Sequence, residues 1–244
     1  MFSDISFSSI DSHILVGLLA LVLLSGCGSP ANQSNERSSN SNTNSEIGER
    51  SISGVYNVDG AMGTDEYSGV LTITDQEQAY NFRWMTNKGS RIGVGVQTGN
   101  NAAVSFARIG GGDGCGVVLY KIAPDGKLTG RSARWGEYKL GTEEAVRTKG
   151  NRFIGEYSVS GTDTDGQEYK GTLAIKKDGE GYDFEWRTPK PLIGFGIWKG
   201  SHAAVSFGGR QCSFAVYDIL SNGTLEGNWG GQRSVEFGTE TAKQ

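Results

Sequence analysis

The chain of 244 residues is poor in the residue types on which many catalytic and metal sites depend. It has two histidines and three cysteines, and His202 is the only histidine beyond the apolar N-terminal segment. A Ser–His–acid triad needs a histidine that a second group holds in place, and zinc sites need several cysteine or histidine ligands. The sequence therefore predicts no catalytic constellation and no metal site, and it indicates no cofactor.

Clusters of positive charge are also missing, because Lys and Arg are scattered along a chain whose formal net charge is −4. Phosphate backbones are bound by clustered basic residues, so nucleic acid is excluded as an expected partner. Proline is rare (4) whereas glycine is frequent (38). This composition favours short strands that are joined by tight turns.

One long apolar run is present, from Ile14 to Leu24. At about 1.5 Å per residue it is too short to cross a hydrocarbon core of roughly 30 Å, and it is typical of the apolar part of a secretory signal. The sequence Leu24-Ser25-Gly26-Cys27 follows directly and resembles the bacterial lipobox. The resemblance implies that residues 1–26 are a signal peptide and that Cys27 is lipidated.

The lipobox resemblance also implies a location in the bacterial cell envelope, where acyl chains on Cys27 hold the protein to a membrane. Gly28 stands where an Asp would indicate retention at the inner membrane, so we expect the outer membrane, on either its periplasmic or its surface side. Residues 27–50 are rich in Ser and Asn and have few apolar side chains to bury. They are therefore predicted to form a flexible tether.

The remainder of the chain is an internal repeat, with one copy in residues 51–147 and the other in 152–244. The segment YNFRW (80–84) matches YDFEW (182–186), and AAVSF occurs at both 102–106 and 203–207. The period is about a hundred residues, which is typical of a duplicated domain rather than of a short solenoid repeat.

Each copy has apolar and polar residues in alternation, a pattern that predicts half-buried antiparallel strands. Turn signals such as Asp125-Gly126, Asp178-Gly179 and Asn222-Gly223 separate the runs. We expect an all-β protein with seven or eight strands per copy, arranged as two up-and-down β-barrels or meanders, one per copy. Closure into barrels would remove exposed strand edges. A single larger sheet assembly built from both copies is the alternative.

The strand starts Gly54-Val55-Tyr56 and Gly155-Glu156-Tyr157 are similar to the Gly-x-Trp strand of the calycin group, which includes the lipocalin and avidin barrels. Tyrosine replaces tryptophan in both copies, and no second lipocalin motif is present. The resemblance therefore implies a barrel architecture and transfers no pocket residues.

Ten aromatic side chains are predicted to point into the barrels. They either fill the core, which is the usual arrangement in small barrels, or line a cavity for an apolar ligand. They are Tyr56, Tyr67, Tyr80, Phe82 and Trp84 in the first copy and Tyr157, Tyr169, Tyr182, Phe184 and Trp186 in the second.

Three further pairs of residues are candidates for function. Trp135 and Trp198 lie outside the matched aromatic pattern. They are expected to be exposed and are candidate contacts for a partner, together with loops 107–114 and 187–191. Cys115 and Cys212 occupy the same position in both copies. They are expected either as a disulfide, which requires a pseudo-two-fold axis between the copies, or, by slight preference, as buried free thiols. Acidic residues recur in Gly-Thr-Glu as Glu143 and Glu240.

These patterns lead first to a non-enzymatic envelope lipoprotein that binds a protein or glycan partner through a duplicated β-scaffold. A carrier of a small apolar ligand inside each barrel is the second hypothesis, and a cavity of several hundred Å³ per barrel would favour it. The third is a hydrolase that uses Glu143 and Glu240, which would need those acids buried with raised pKa. A purely structural role is also compatible with the sequence.

Overall fold

The computed structural model describes residues 49–137 and 139–244. The predicted signal peptide, Cys27 and most of the tether lie outside these residues. Within the described residues, no helix has the length and apolar character needed to cross a membrane.

The described chain folds into sixteen β-strands, eight in each sequence copy. Their bounds are β1 Gly54–Met62, β2 Asp65–Gln76, β3 Ala79–Thr86, β4 Gly89–Thr98, β5 Asn101–Arg108, β6 Gly116–Ile122, β7 Leu128–Arg134, β8 Gly141–Asn151, β9 Ile154–Thr162, β10 Glu168–Asp178, β11 Gly181–Arg187, β12 Leu192–Lys199, β13 His202–Phe207, β14 Ser213–Ile219, β15 Leu225–Gly230 and β16 Gly238–Lys243.

These strands form two closed, antiparallel, eight-stranded barrels, as the sequence predicted. Barrel 1 consists of β1–β5 together with β14–β16, and it closes where β1 pairs with β16. Barrel 2 is the continuous run β6–β13, and it closes where β13 pairs with β6. Neighbours around each barrel are consecutive strands of the chain or these closing pairs, apart from the β5–β14 pair in barrel 1.

The barrels do not coincide with the two sequence copies, so the expectation of one barrel per copy is wrong. The repeat boundary near residue 152 falls inside barrel 2, between β8 and β9. Each barrel has five strands from one copy and three from the other. The copies have exchanged their last three strands, which preserves every type of strand pairing because equivalent strands have equivalent neighbours.

Alternation and turn residues explain the individual strands. In β1, Tyr56 and Val58 are buried while Asn57 and Asp59 between them are exposed, so one face of the strand points into the barrel. The hairpin glycines of the predicted turns have positive φ, with 86° at Gly126, 53° at Gly179 and 86° at Gly223. Glycine adopts this conformation without a steric penalty.

A third apolar cluster joins the outer faces of the two barrels. It contains Val94 and Val96 of β4, Leu119 of β6 and Ala204 of β13, all buried. Strands at this contact are apolar at successive positions, because one face meets the barrel interior and the other meets the second barrel. At its centre the equivalent residues Ser105 and Ser206 lie with their Oγ atoms 2.6 Å apart, which places a pseudo-two-fold axis between the copies.

The same axis passes between Cys115 and Cys212, which form a disulfide with a Cα–Cα distance of 5.7 Å. The preference for free thiols is therefore wrong. Cys115 ends the connection from β5 to β6, and Cys212 ends the connection from β13 to β14. These are the two places where the chain passes between barrels, so the disulfide ties the two passages together.

Candidate functional site

One end of each barrel is closed by an apolar residue that lies just before the first strand of a sequence copy, β1 or β9. Ile52 and Phe153 are both 2% exposed and belong to the cores of barrels 1 and 2 respectively. The Tyr56 hydroxyl donates to the Ile52 carbonyl at 2.8 Å, and the Tyr157 hydroxyl donates to the Phe153 carbonyl at 2.8 Å. We call this the plugged end.

The opposite end of each barrel is open and contains a cavity of about 380 Å³. Cavity 1, in barrel 1, extends from Asp65 and Lys88 on the rim to Trp84 and Glu240 in the interior. Cavity 2, in barrel 2, extends from Asp165 and Lys190 on the rim to Trp186 and Glu143 in the interior. Binding sites for small molecules usually have volumes of about 300–1,000 Å³, so both cavities are large enough to hold one.

Glu240 of β16 is at the base of cavity 1 and is 5% exposed. It accepts three hydrogen bonds from other strands of barrel 1. Tyr67 Oη donates to Oε2 at 2.7 Å, while Tyr217 Oη and Trp84 Nε1 donate to Oε1 at 2.6 Å and 3.1 Å. We call these four residues floor 1.

Glu143 of β8 has the equivalent position at the base of cavity 2 and is also 5% exposed. Tyr169 Oη donates to Oε2 at 2.9 Å, Trp186 Nε1 donates to Oε1 at 3.2 Å, and Tyr120 Oη also donates to Oε1. These four residues form floor 2. Each floor combines residues from both sequence copies, because the last three strands of the copies are exchanged.

Burial dominates the electrostatics of floor 2. Desolvation raises the pKa of Glu143 above its ordinary value, and the hydrogen bonds from Tyr120, Trp186 and Tyr169 oppose that rise. Burial and the neighbouring carboxylate also raise the pKa of Tyr120 and Tyr169. The tyrosines are therefore neutral donors at neutral pH, and a charged form of Glu143 depends on them in place of water.

The walls of the two cavities differ although the floors match. Trp229 in cavity 1 corresponds to Ser132 in cavity 2, and Arg91 corresponds to Leu192. The Trp229 indole nitrogen is buried and has no hydrogen-bond partner among the described residues, and its ring packs edge-on against Tyr67 with 5.9 Å between ring centroids. The two cavities therefore have equivalent floors but differ in shape and polarity at their walls.

The rims carry a matched ion pair. Lys88 pairs with Asp65 at cavity 1, and the equivalent Lys190 lies 3.0 Å from Asp163 at cavity 2. Both pairs connect the β-hairpin loops of neighbouring strand pairs at the open end. Asp163 also accepts backbone hydrogen bonds from Asp165 and Gln167, and together with the Lys190 contact these hold the pKa of Asp163 low.

The ten predicted aromatic residues divide between core and cavity, so both alternatives hold for part of the set. Tyr67, Trp84, Tyr169 and Trp186 line the cavities. The other six belong to the barrel cores or pack against them: Tyr56, Tyr80, Phe82, Tyr157, Tyr182 and Phe184.

The candidate partner contacts lie in different surroundings. Trp135 is half-buried and packs against the cluster between the barrels, so it is not the exposed residue that the sequence suggested. Trp198 is 37% exposed and packs on Phe153 at the plugged end of barrel 2, with 5.3 Å between ring centroids. Their contact with a partner stays a prediction.

The sequence analysis did not identify Tyr120 and Tyr217 as site residues, although tyrosine occupies this equivalent position in both copies. The signal that could have found them is the recurrence of both a tyrosine and a glutamate at equivalent places in the two copies. Among the described residues, no group of three or more His, Cys, Asp or Glu is arranged to hold a metal ion.

In comparisons with known proteins, no protein-family model, no curated protein and no solved structure matches this chain.

Proposed function

We propose that this chain is a non-enzymatic binding protein of the cell envelope whose two barrels each hold one small ligand. The observation that carries the proposal is the pair of cavities of about 380 Å³, each with the same Tyr-Tyr-Trp-Glu floor. A barrel that served only as a scaffold could fill this space with side chains, as small barrels usually do. Retention of an open cavity with a matched polar floor in both barrels favours ligand binding.

The place where the chain enters barrel 1, at residues 49–52, supports a role in which both cavities face away from the membrane. Arg50 Nη1 donates to the Ser221 carbonyl at 2.9 Å, and Gly99 N donates to Glu49 Oε1 at 2.7 Å. These contacts lie at the plugged end of barrel 1, next to Ile52. With a lipid on Cys27 at the far end of the preceding segment, both cavities would open away from the side where the chain enters. We therefore propose a lipoprotein, anchored at the outer membrane, that captures ligands from the adjoining aqueous space.

A protein or glycan partner on the outer loops is the competing form of the binding role. Loop 187–191 contributes Pro189 and Lys190 to the rim of cavity 2, so a macromolecule that contacted this loop would also cover the cavity. The hydrolase hypothesis is favoured only by the burial and raised pKa of Glu143. Both Glu143 oxygens already accept hydrogen bonds, from Tyr120, Trp186 and Tyr169, and these contacts favour a positioning role for the carboxylate over a catalytic one.

Native mass spectrometry of the mature chain, purified from an oxidising compartment, tests the small-ligand proposal. The matched variants are Ser132→Trp and Trp229→Ser, because each introduces the residue that the equivalent position already carries. Both positions pack against an equivalent glycine, since a Cβ at Gly141 would lie 2.5 Å from Ser132 and a Cβ at Gly238 would lie 2.3 Å from Trp229.

We expect up to two non-covalent ligands per chain in the wild type and in both variants, because cavity 1 already carries the tryptophan. Ser132→Trp should make the occupancy of cavity 2 more like that of cavity 1, and Trp229→Ser should do the reverse. Extraction after denaturation then identifies the molecule. A wild-type chain that shows no bound mass, and no change of melting temperature with any small molecule in a metabolite panel, would contradict the proposal and favour a partner on the outer surface.

A further inference from the structure

The buried carboxylates at the base of the cavities lack a cationic partner. Glu143 and Glu240 form no ion pair with a Lys or Arg among the described residues, and their six hydrogen-bond donors are neutral hydroxyl and indole groups. Burying a carboxylate is costly unless charge and hydrogen bonds compensate it. The neutral donors supply hydrogen bonds to the carboxylate, but they supply no positive charge.

One acceptor position on each carboxylate is also unused by these contacts. In both floors Oε1 accepts two hydrogen bonds and Oε2 accepts one, from Tyr67 or Tyr169. A carboxylate oxygen accepts two. Those two tyrosines are only partly buried and line the cavities, so the unfilled acceptors lie on the cavity side of each floor.

Aromatic rings surround the same space. Cavity 1 is lined by Tyr67, Trp84, Phe106, Tyr217 and Trp229, and cavity 2 by Tyr169, Trp186 and Phe207. The face of an aromatic ring attracts a cation. Cavity 2 already contains one such contact, because the Arg134 guanidinium lies 4.9 Å from the centroid of the Phe207 ring.

The formal charges of the cavities, with the floor glutamates counted, are negative on balance. Cavity 2 is lined by five carboxylates and two basic residues, and cavity 1 by three carboxylates and two basic residues. The rim lysines, Lys88 and Lys190, are paired with aspartates. Both cavities are therefore net negative, and cavity 2 is more so.

From the enclosed volume, the unpaired carboxylate and the aromatic lining, we propose that the ligand is a small organic cation. Its ammonium group lies against the floor glutamate, its apolar part contacts the rings, and cavity 2 binds it more tightly than cavity 1. This inference rests on the proposed small-ligand function and specifies the class of ligand.

Isothermal titration with charge-matched probes tests the inference. The probes are choline and its uncharged isostere 3,3-dimethylbutan-1-ol, and phenethylamine with the anion 3-phenylpropionate. We expect each cation to bind at least ten-fold more tightly than its neutral or anionic counterpart. Ser132→Trp should bring the affinity of the tighter site close to that of the weaker one, because it gives cavity 2 the tryptophan that cavity 1 carries.

Glu143→Gln and Glu240→Gln each remove one floor charge, and each should lower cation affinity at its own cavity about ten-fold. Circular dichroism and melting temperature show whether the variants are folded. Where a floor variant does not fold, the exposed-rim double variant Asp165→Asn/Glu168→Gln replaces it, and it should weaken cation binding at cavity 2 about two- to five-fold at low salt.

Equal affinity for charged and uncharged probes would overturn the cation inference and leave the small-ligand function standing. Preference for the anion would also overturn it and would assign the binding to Arg91 and Arg134. Absence of binding by every probe, combined with an empty native mass spectrum, would overturn both proposals.

Discussion

Barrels 1 and 2 have the same floor and different walls. Their floors superpose residue by residue in type, from Tyr67, Trp84, Tyr217 and Glu240 to Tyr169, Trp186, Tyr120 and Glu143. Above the floors, Trp229 and Arg91 in cavity 1 give way to Ser132 and Leu192 in cavity 2. Under the proposed binding function, this pattern gives the two parts of each site different roles: the floor would anchor a group that both ligands share, and the walls would set what else each site accepts.

The largest expected effect concerns the link that makes the two barrels one unit. Replacing both Cys115 and Cys212 with alanine removes a cross-link between residues 97 positions apart. Loss of a native disulfide typically costs about 2–5 kcal/mol, because the unfolded chain regains the freedom that the closed loop had removed. We expect a loss in that range in denaturant unfolding, with little change in either cavity.

Scanning calorimetry of the same variant shows whether the barrels then unfold together. The apolar cluster around Val94, Val96 and Leu119 still joins them, so we expect one transition. Two separate transitions would mean that the disulfide alone couples the barrels. A loss of less than about 1 kcal/mol would show that the interface already restricts the chain as much as the cross-link does.

The second effect tests whether the floors are energetically equivalent. Tyr217→Phe and Tyr120→Phe each remove one hydroxyl that donates to a buried glutamate. Hydrogen bonds to charged groups contribute about 1.5–3 kcal/mol, so both variants should lose a similar amount, measured as the free energy of unfolding.

Tyr56→Phe is the matched control, since it removes a buried hydroxyl that donates to a neutral carbonyl. It should cost less, about 0.5–1.5 kcal/mol. If Tyr217→Phe and Tyr120→Phe differ by more than about 1 kcal/mol, the two floors are not equivalent and their common sequence has a different cause.

The sequence predicted the repeat, the strand alternation, the turn glycines and the closed barrels, because each of these is set by local residue patterns. It did not predict the exchange of strands. An up-and-down barrel has a cyclic strand order, and β6 can follow β5 in space or its equivalent β14 can do so with the same side-chain contacts. The segment AAVSF at 102–106, where apolar residues at successive positions indicate burial on both faces, predicts contact between barrels but not which strand follows β5.

Part of the candidate site could be predicted from the sequence. Trp84 and Trp186 were predicted to point inward, and Glu143 and Glu240 were recognised as recurrent acids. Their meeting depends on pairing between strands that are distant in sequence, such as β1 and β16, where Gly60 lies opposite Glu240. Such long-range register is not encoded in the period of a single strand.

The third effect is a pH dependence at cavity 2. The pKa of Glu143 is raised above its ordinary value of 4.5 by burial, so acidification protonates it earlier than an exposed glutamate. Below that raised pKa the floor is neutral, and cation affinity at cavity 2 should fall by up to about ten-fold per pH unit. Folding responds in the opposite direction, because the folded state binds this proton more tightly and the contribution of Glu143 to stability decreases as pH rises through the same range.

Titrating choline into Trp229→Ser and Glu143→Gln across this range measures the effect. The affinity of cavity 2 in Glu143→Gln should depend less on pH, because the glutamine does not titrate. Other titratable side chains also line this cavity: Glu137, Asp163, Asp165, Glu168, Tyr169, Arg134 and Lys190. The pKa of Tyr120 and Tyr169 is raised further from this range. An equally steep profile in Glu143→Gln would show that another acid controls binding.

The smallest expected effect concerns the rim lysines, which are matched between the barrels but face different numbers of acids. Lys190 lies 3.0 Å from Asp163 and 3.6 Å from Asp165, whereas Lys88 pairs with Asp65. Exposed ion pairs contribute little to folding, so neither Lys88→Ala nor Lys190→Ala should shift the melting temperature measurably. Each removes a positive charge near a net-negative cavity. Cation affinity should therefore rise, by roughly two-fold for Lys190→Ala and by less for Lys88→Ala at low ionic strength.

Titration in 0.5 M salt, about five times the ionic strength at which the screening length is about 10 Å, should remove both gains. A gain that survived this salt concentration would mean that the lysine blocks the cavity sterically, and the contrast between the two rims would then reflect shape instead of charge.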